Sequence, residues 1–186
     1  MKLSIWFDFH DTIVDSSKAW LKAYKYYCSK KEYRKISFLY KKGYSRKKLA
    51  NMVNIDYYLI ENKYREYLKT KRIITWLLYY CINKYDVIII SNASRKRILK
   101  DLEKVKINCD QIKLYTKENG HKPEIKYINN IIKDNNIDEV IMIGNDKFED
   151  NFKQKKINTV IIKNIFSESY AVLLILYYRI KIRRNL

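Results

Sequence analysis

A chain of 186 residues can fill one core and carry a small insert, but it is too short for two large domains. With 47% hydrophobic and 15% aromatic residues it is globular rather than disordered, and 3 Gly with 1 Pro leave so little turn punctuation that long helices are expected. Its 39 Lys and Arg against 20 Asp and Glu give a net charge of +19, which suits a polyanion partner but equally a composition rich in Lys, Ile, Asn and Tyr. No zinc finger, RNA-recognition signature or recognition helix accompanies that charge, so a nucleic-acid partner rests on charge alone. Cys28, Cys81 and Cys109 are odd in number and widely spaced, which reads as reduced thiols in a cytoplasmic protein.

The first predicted element is a strand over Leu3 to Phe9, and no signal peptide is expected before it. The run Ile5-Trp6-Phe7-Asp8-Phe9-His10-Asp11-Thr12 carries Asp8 to the tip of that strand. A carboxylate there has to be met by a metal ion, backbone amides or a reacting ligand, and one so held can attack a phosphoryl group. The plain alternative is an aspartate that caps the next turn. From Ser16 to Thr70 no convincing strand follows. Trp20, Leu21, Tyr24, Tyr27 and Cys28 mark one amphipathic helix and Tyr57, Ile60, Tyr64, Tyr67 and Leu68 another, with Gly43 in a basic break between them. Such an insert is expected above the site as a lid, with Trp20, Tyr24, Tyr27 and Arg46 selecting the substrate.

After a helix striped by Ile73, Ile74, Leu77, Leu78 and Cys81, a buried strand over Asp86 to Ile90 delivers Ser91, followed by Asn92, Ala93 and Ser94. A hydroxyl and free amides at that tip suit a phosphate oxygen, and Ser94 can cap the next helix, striped by Ile98, Leu99, Leu102 and Val105. A strand over Ile112 to Tyr115 leads to Gly120-His121-Lys122-Pro123-Glu124. Pro123 fits the first position of a helix striped by Ile125, Ile128, Ile131 and Ile132, and Lys122 is thereby aimed at the crevice. The strand over Glu139 to Ile143 ends in Gly144-Asn145-Asp146-Lys147-Phe148-Glu149-Asp150. With Asp8 opposite, Asp146 and Asp150 make an oxygen-rich set of the kind Mg²⁺ prefers. A last strand over Thr159 to Ile162 precedes a terminal helix over 167–184. Ser167 is its expected cap, and Arg179, Lys181, Arg183 and Arg184 suit its carboxyl end. Its apolar stretch, Ala171 to Tyr178, is too short to span a bilayer, so no transmembrane segment is expected.

This alternation predicts an α/β fold: a doubly wound, Rossmann-like, mainly parallel five-stranded sheet with a small all-helical cap inserted after the first strand. The core comprises 1–15 and 71–186 and the cap 16–70, with the site at the carboxyl ends of the strands.

Asp8-x-x-x-Thr12, Ser91, Lys122 and Gly144-Asn145-Asp146-x-x-x-Asp150, in that order over almost the whole chain, resemble the haloacid dehalogenase superfamily, in its phosphoglycolate-phosphatase-like members with a small cap. The resemblance implies that Asp8 is the nucleophile and a Mg²⁺ ligand, with the backbone carbonyl of His10 as a second ligand. It implies further that Ser91 and Lys122, with Thr12 and Asn92, hold the phosphoryl group, and that Asp146 and Asp150 complete the metal site. The family's phosphatases carry a second Asp two residues after the nucleophile as acid and base; here His10 stands there, and a histidine can do both jobs near neutrality. Asn145 stands where many members have Asp, and the Asp146–Asp150 pair resembles a shifted variant. The expected activity is Mg²⁺-dependent hydrolysis of a small phosphomonoester through an aspartyl-phosphate on Asp8. The alternative is a weak or inactive member that binds a phosphorylated ligand or nucleic acid through its basic surface. Dehalogenase and phosphonatase members also lack the second Asp.

Overall fold

The computed structural model of the chain describes residues 2–152, 154, 156–163 and 165–184. Contacts divide it into two units, one formed by Met1–Val14 with Thr70–Leu186 and the other by Asp15–Lys69. In the first, strands β1 (Leu3–Phe7), β2 (Asp86–Ile90), β3 (Lys113–Tyr115), β4 (Glu139–Gly144) and β5 (Ile157–Ile161) form one sheet in the order β3-β2-β1-β4-β5. Every pairing is parallel, with Ile5 of β1 beside Val87 on one flank and Ile141 on the other. This is the predicted doubly wound α/β sheet.

The second unit is all helical: α1 (Ser16–Tyr27), α2 (Lys30–Lys41), α3 (Arg46–Met52) and α4 (Tyr57–Tyr67). Its centre is aromatic. Trp20 stacks on Tyr64 with ring centroids 4.3 Å apart and on Tyr57 at 5.9 Å, Arg46 lies over the Trp20 ring at 5.2 Å, and Tyr24 Oη donates to the Arg46 carbonyl at 2.5 Å. Trp20 and Tyr24, expected to select substrate, are therefore fully buried packing residues. α2, α3 and α4 begin on side-chain caps. Ser29 and Glu32 form a reciprocal capping box before α2, while Ser45 accepts from Lys48 N and Asp56 from Tyr58 N.

The first unit's helices are α5 (Arg72–Ile82), α6 (Arg95–Lys104), α7 (Ile125–Asp134) and α8 (Ile165–Arg184). Alternate residues of the strands put Trp6, Ile88, Ile90, Val140 and Met142 into one buried cluster with Tyr127, Ile128 and Ile131 of α7. The strand residues between them, such as Ile5, Phe7, Ile89 and Ile141, are equally buried, so both faces are covered. Among the described residues no helix is long and apolar enough to cross a membrane.

Several boundaries differ from expectation. β1 stops at Phe7 because the chain turns immediately after Asp8, with Asp11 at φ 62°. β5 starts at Ile157, which pairs in register with Val140. α7 starts at Ile125 rather than Pro123, which follows a cis peptide bond, and Glu124 is the cap residue. α8 starts at Ile165, so Ser167 lies inside its first turn, where its hydroxyl accepts from Lys163 N. Ser94 precedes α6 but makes no side-chain cap; the carboxylate of Glu118 accepts from Arg95 N instead. The side chains of Arg179, Lys181, Arg183 and Arg184 lie outside the described residues.

Candidate active site

The carboxyl edge of the sheet is where the ladder hydrogen bonds run out. Asp8 N still donates to the Ile143 carbonyl and Ser91 N to that of Tyr115, so both residues leave their strands at a fixed height. Their side chains turn into the crevice that an open parallel sheet leaves there. Asp8 is 6% exposed and Ser91 4%.

Three charged side chains meet at Asp8. Lys122 Nζ lies 2.8 Å from Asp8 Oδ1 and 2.5 Å from Asp150 Oδ1, with Lys122 and Asp150 each 1% exposed. The other oxygen of Asp150 accepts from the backbone amides of Asn145 and Asp146, both at 3.0 Å. Gly144 makes room for it, since a Cβ there would fall 2.3 Å from Asp150 Oδ2. Burial drives the Asp8 carboxyl up to about 7; the Lys122 ammonium opposes that rise and Asp150 reinforces it. For Lys122, burial pulls downward, but the two carboxylates outweigh it and hold the ammonium above its ordinary range. The site thus keeps a fixed cation beside a carboxylate that carries its proton more readily than usual.

The backbone of Lys122 is clamped by Asn92. Lys122 N donates to Asn92 Oδ1 at 2.8 Å, and Asn92 Nδ2 donates to the Lys122 carbonyl at 3.2 Å. Asn92, expected to touch phosphate, thereby positions the lysine. The Ser91 hydroxyl accepts from Ala93 N at 3.3 Å, which leaves its own hydrogen available for donation to a ligand.

The expected metal carboxylates are turned elsewhere. Asp150 serves Lys122, and Asp146 Oδ1 accepts from Phe148 N at 2.7 Å and Glu149 N at 3.1 Å, closing its own turn. Among the described residues no three His, Cys, Asp or Glu side chains gather round one cation position. The residue beside Asp8 is Asn145. The inward end of its amide lies 3.1 Å from Asp8 Oδ2, 3.0 Å from the His10 carbonyl and 3.2 Å from Thr12 Oγ1. With nitrogen inward, the amide donates to these oxygens while Thr12 donates to Asp8 Oδ2 at 3.3 Å. With oxygen inward, hard oxygens crowd one point and need a cation to hold them together. Oxygens about 3.0 Å apart match the edge of an octahedron with Mg–O bonds of about 2.0–2.1 Å. The donor set of Asp8, the His10 carbonyl and Asn145 therefore fits Mg²⁺, which binds few protein ligands and keeps its other positions for water and phosphate oxygens.

His10 follows the nucleophile position by two residues, and its Nε2 lies 3.1 Å from Asp101 Oδ2. Asp101 is a fully buried carboxylate of α6, with Arg97 Nε 3.8 Å away. Sequence reasoning missed it. The available signal was an Asp three residues after Ile98, on the apolar face of that helix. Lys71 was missed as well; its Nζ donates to the Asp11 carbonyl at 2.5 Å and braces the loop after β1.

A family model described as haloacid dehalogenase-like hydrolase matches residues 5–162. Comparison with curated proteins gave no match. Among solved structures, a haloacid dehalogenase-like family hydrolase from Streptococcus pneumoniae is 16% identical at a TM-score of 0.60, over 95% of this chain and 98% of that one. A family enzyme from Bacteroides thetaiotaomicron, in complex with magnesium and inorganic phosphate, is 16% identical at a TM-score of 0.61, over 88% and 95% of the two chains. L-2-haloacid dehalogenase from Xanthobacter autotrophicus is 13% identical at a TM-score of 0.60, over 80% and 72%. At these identities the likeness is one of fold.

Proposed function

The chain belongs to the haloacid dehalogenase-like hydrolases, and from that premise we propose that it hydrolyses a small phosphomonoester, with Asp8 as the nucleophile. The observation that carries this reading is the buried Asp8–Lys122–Asp150 cluster at the sheet edge, with the Ser91 hydroxyl at the neighbouring strand tip. An Asp8 oxygen attacks phosphorus, and the bond to the leaving oxygen breaks with its electron pair on that oxygen, leaving an aspartyl-phosphate. Water then attacks the same phosphorus, phosphate departs, and the Asp8 carboxylate is restored. Lys122 and the Ser91 hydroxyl face the charge that grows on the phosphoryl oxygens.

We assign Mg²⁺ to Asp8, the His10 carbonyl and the amide oxygen of Asn145; when bound it supplies positive charge to the transferring group. The leaving oxygen needs a proton, and His10, oriented by Asp101, is the residue assigned to give it. The free thiols Cys28, Cys81 and Cys109 suit the reducing cytoplasm, the compartment we propose.

A second reading is favoured by that same His10 contact. With Nε2 held by Asp101, His10 is kept for structure, and the chain binds a phosphorylated ligand or a polynucleotide without turning it over. One experiment separates the two: phosphate release from an aryl phosphate, with Mg²⁺ and with chelator, for the native chain and Asp8→Asn. Mg²⁺-dependent release lost in Asp8→Asn supports the hydrolase. No release from the native chain, with affinity for polynucleotide that collapses as salt rises, supports the binding protein.

A further inference from the structure

We propose that the outer face of α8 is a helix–helix contact with a second copy of this chain. From Tyr170 to Tyr178 the helix is apolar all round, and its two faces meet different fates. Ala171, Ile175 and Tyr178 are buried, and Asn158 Nδ2 on β5 donates to Tyr178 Oη at 2.6 Å, so this face is the one docked on the sheet. Phe166, Tyr170, Leu173, Tyr177 and Ile180 are between 53% and 81% exposed. A helical stretch apolar on both faces is ordinarily covered on both, so the outer face of this one needs a cover.

The spacing of the outer residues says what kind of cover. They recur at intervals of four, three, four and three, the 3.5-residue period of a narrow seam that packs against another helix. A helix that lies on anionic lipid instead carries Lys and Arg along both margins of its apolar face. Here the basic residues Arg179, Lys181, Arg183 and Arg184 are gathered at the carboxyl end, no Lys or Arg stands between Ile165 and Tyr178, and Glu168 lies outside the seam. At about 200 Å² for a whole aromatic side chain, these five residues and Leu176 expose roughly 600–700 Å² in all. Two copies would bury about 1,300 Å², within the range of specific, stable interfaces. The same seam meets itself across a twofold axis, which closes the assembly at two.

Charge gives this dimer a signature. Two copies at +19 each repel, so added salt tightens their association. A lipid or polynucleotide partner would be lost under the same change.

The test is sedimentation equilibrium of the native chain over a range of salt, beside Leu173→Glu and Tyr177→Glu. Both side chains are exposed, so both variants should keep the native circular dichroism and melting temperature. The expected result is a native dimer that tightens with salt and weakens about thirtyfold or more in either variant, as for a central interface residue. Leu173→Cys, oxidised under dilute conditions beside the native chain as control, should give a disulfide-linked dimer with the native fold that the native chain does not give, and so checks the contact independently of the Glu variants. A native monomer at every salt concentration overturns the proposal. So does a dimer that neither Glu variant weakens, or a native monomer that co-sediments with anionic vesicles through this face.

Discussion

The sheet edge and the helical unit bury side chains by opposite means. At the edge, a lysine and two carboxylates sit within hydrogen-bonding distance, each 6% exposed or less and each compensated by the others. In the 15–69 unit the large buried side chains include Trp20, Tyr24, Ile36, Leu49, Ile60 and Tyr64, with no buried charge, and its many lysines stay at the surface. Among the described residues charge is thus driven inside at the sheet edge, where the proposed chemistry would use it. The edge trades stability for function, because a buried ion cluster is costly to keep and costlier to break. The helical unit draws its stability from packed aromatic area and helix caps.

The hardest break is Asp8→Asn, which removes the nucleophile; turnover of an aryl phosphate should fall by roughly 10⁴-fold or more. Next come two substitutions that should each cost about 3–5 kcal/mol in denaturant unfolding: Lys122→Met, which strands two carboxylates, and Trp20→Ala, which empties the aromatic stack. They differ in pH dependence. The Lys122→Met penalty should shrink as acid protonates Asp8, whose carboxyl burial already raises, whereas the Trp20→Ala penalty should not change. A pH-rate profile sharpens the same contrast. Only ionised Asp8 can attack or hold Mg²⁺, and without the metal its carboxyl is raised to about 7, so at subsaturating Mg²⁺ kcat/KM should fall about tenfold per pH unit below that value and level off above it.

Asn145→Asp adds a charge to the donor set. It should tighten Mg²⁺ binding by about tenfold or more in isothermal titration. The smallest effect uses the thiols as reporters of the two regions. Burial pushes the Cys81 thiol up to about 12 and raises that of Cys28, which is half-buried. Both should alkylate slowly at pH 8, Cys81 only when the sheet unit opens and Cys28 sooner.

The sheet was legible because its strands are short, β-branched and bounded, as in Asp86–Ile90, and because a parallel sheet buries both faces. Asp8, Ser91 and Lys122 were legible as strand-end or loop positions. The second turn of the site was not. A sequence does not say which of several donors a carboxylate will face, and Asp150 went to Lys122 while Asp146 went to its own turn. Asn145 was noticed as a departure but not as the side chain beside Asp8. α2 and α3 escaped because Lys and Arg crowd their exposed faces, leaving Ile36 buried in one and Leu49 and Ala50 in the other. The Ser29–Glu32 capping box was nonetheless there to be read.

Asn92 bonds both polar groups of the Lys122 main chain, so two loops that arise 30 residues apart are spliced like neighbouring rungs. Ser91 and Lys122 would therefore meet the proposed phosphoryl group as one rigid jaw rather than two independent fingers. The entropy of bringing them together is spent when the chain folds, and none of it is charged again at each encounter with ligand.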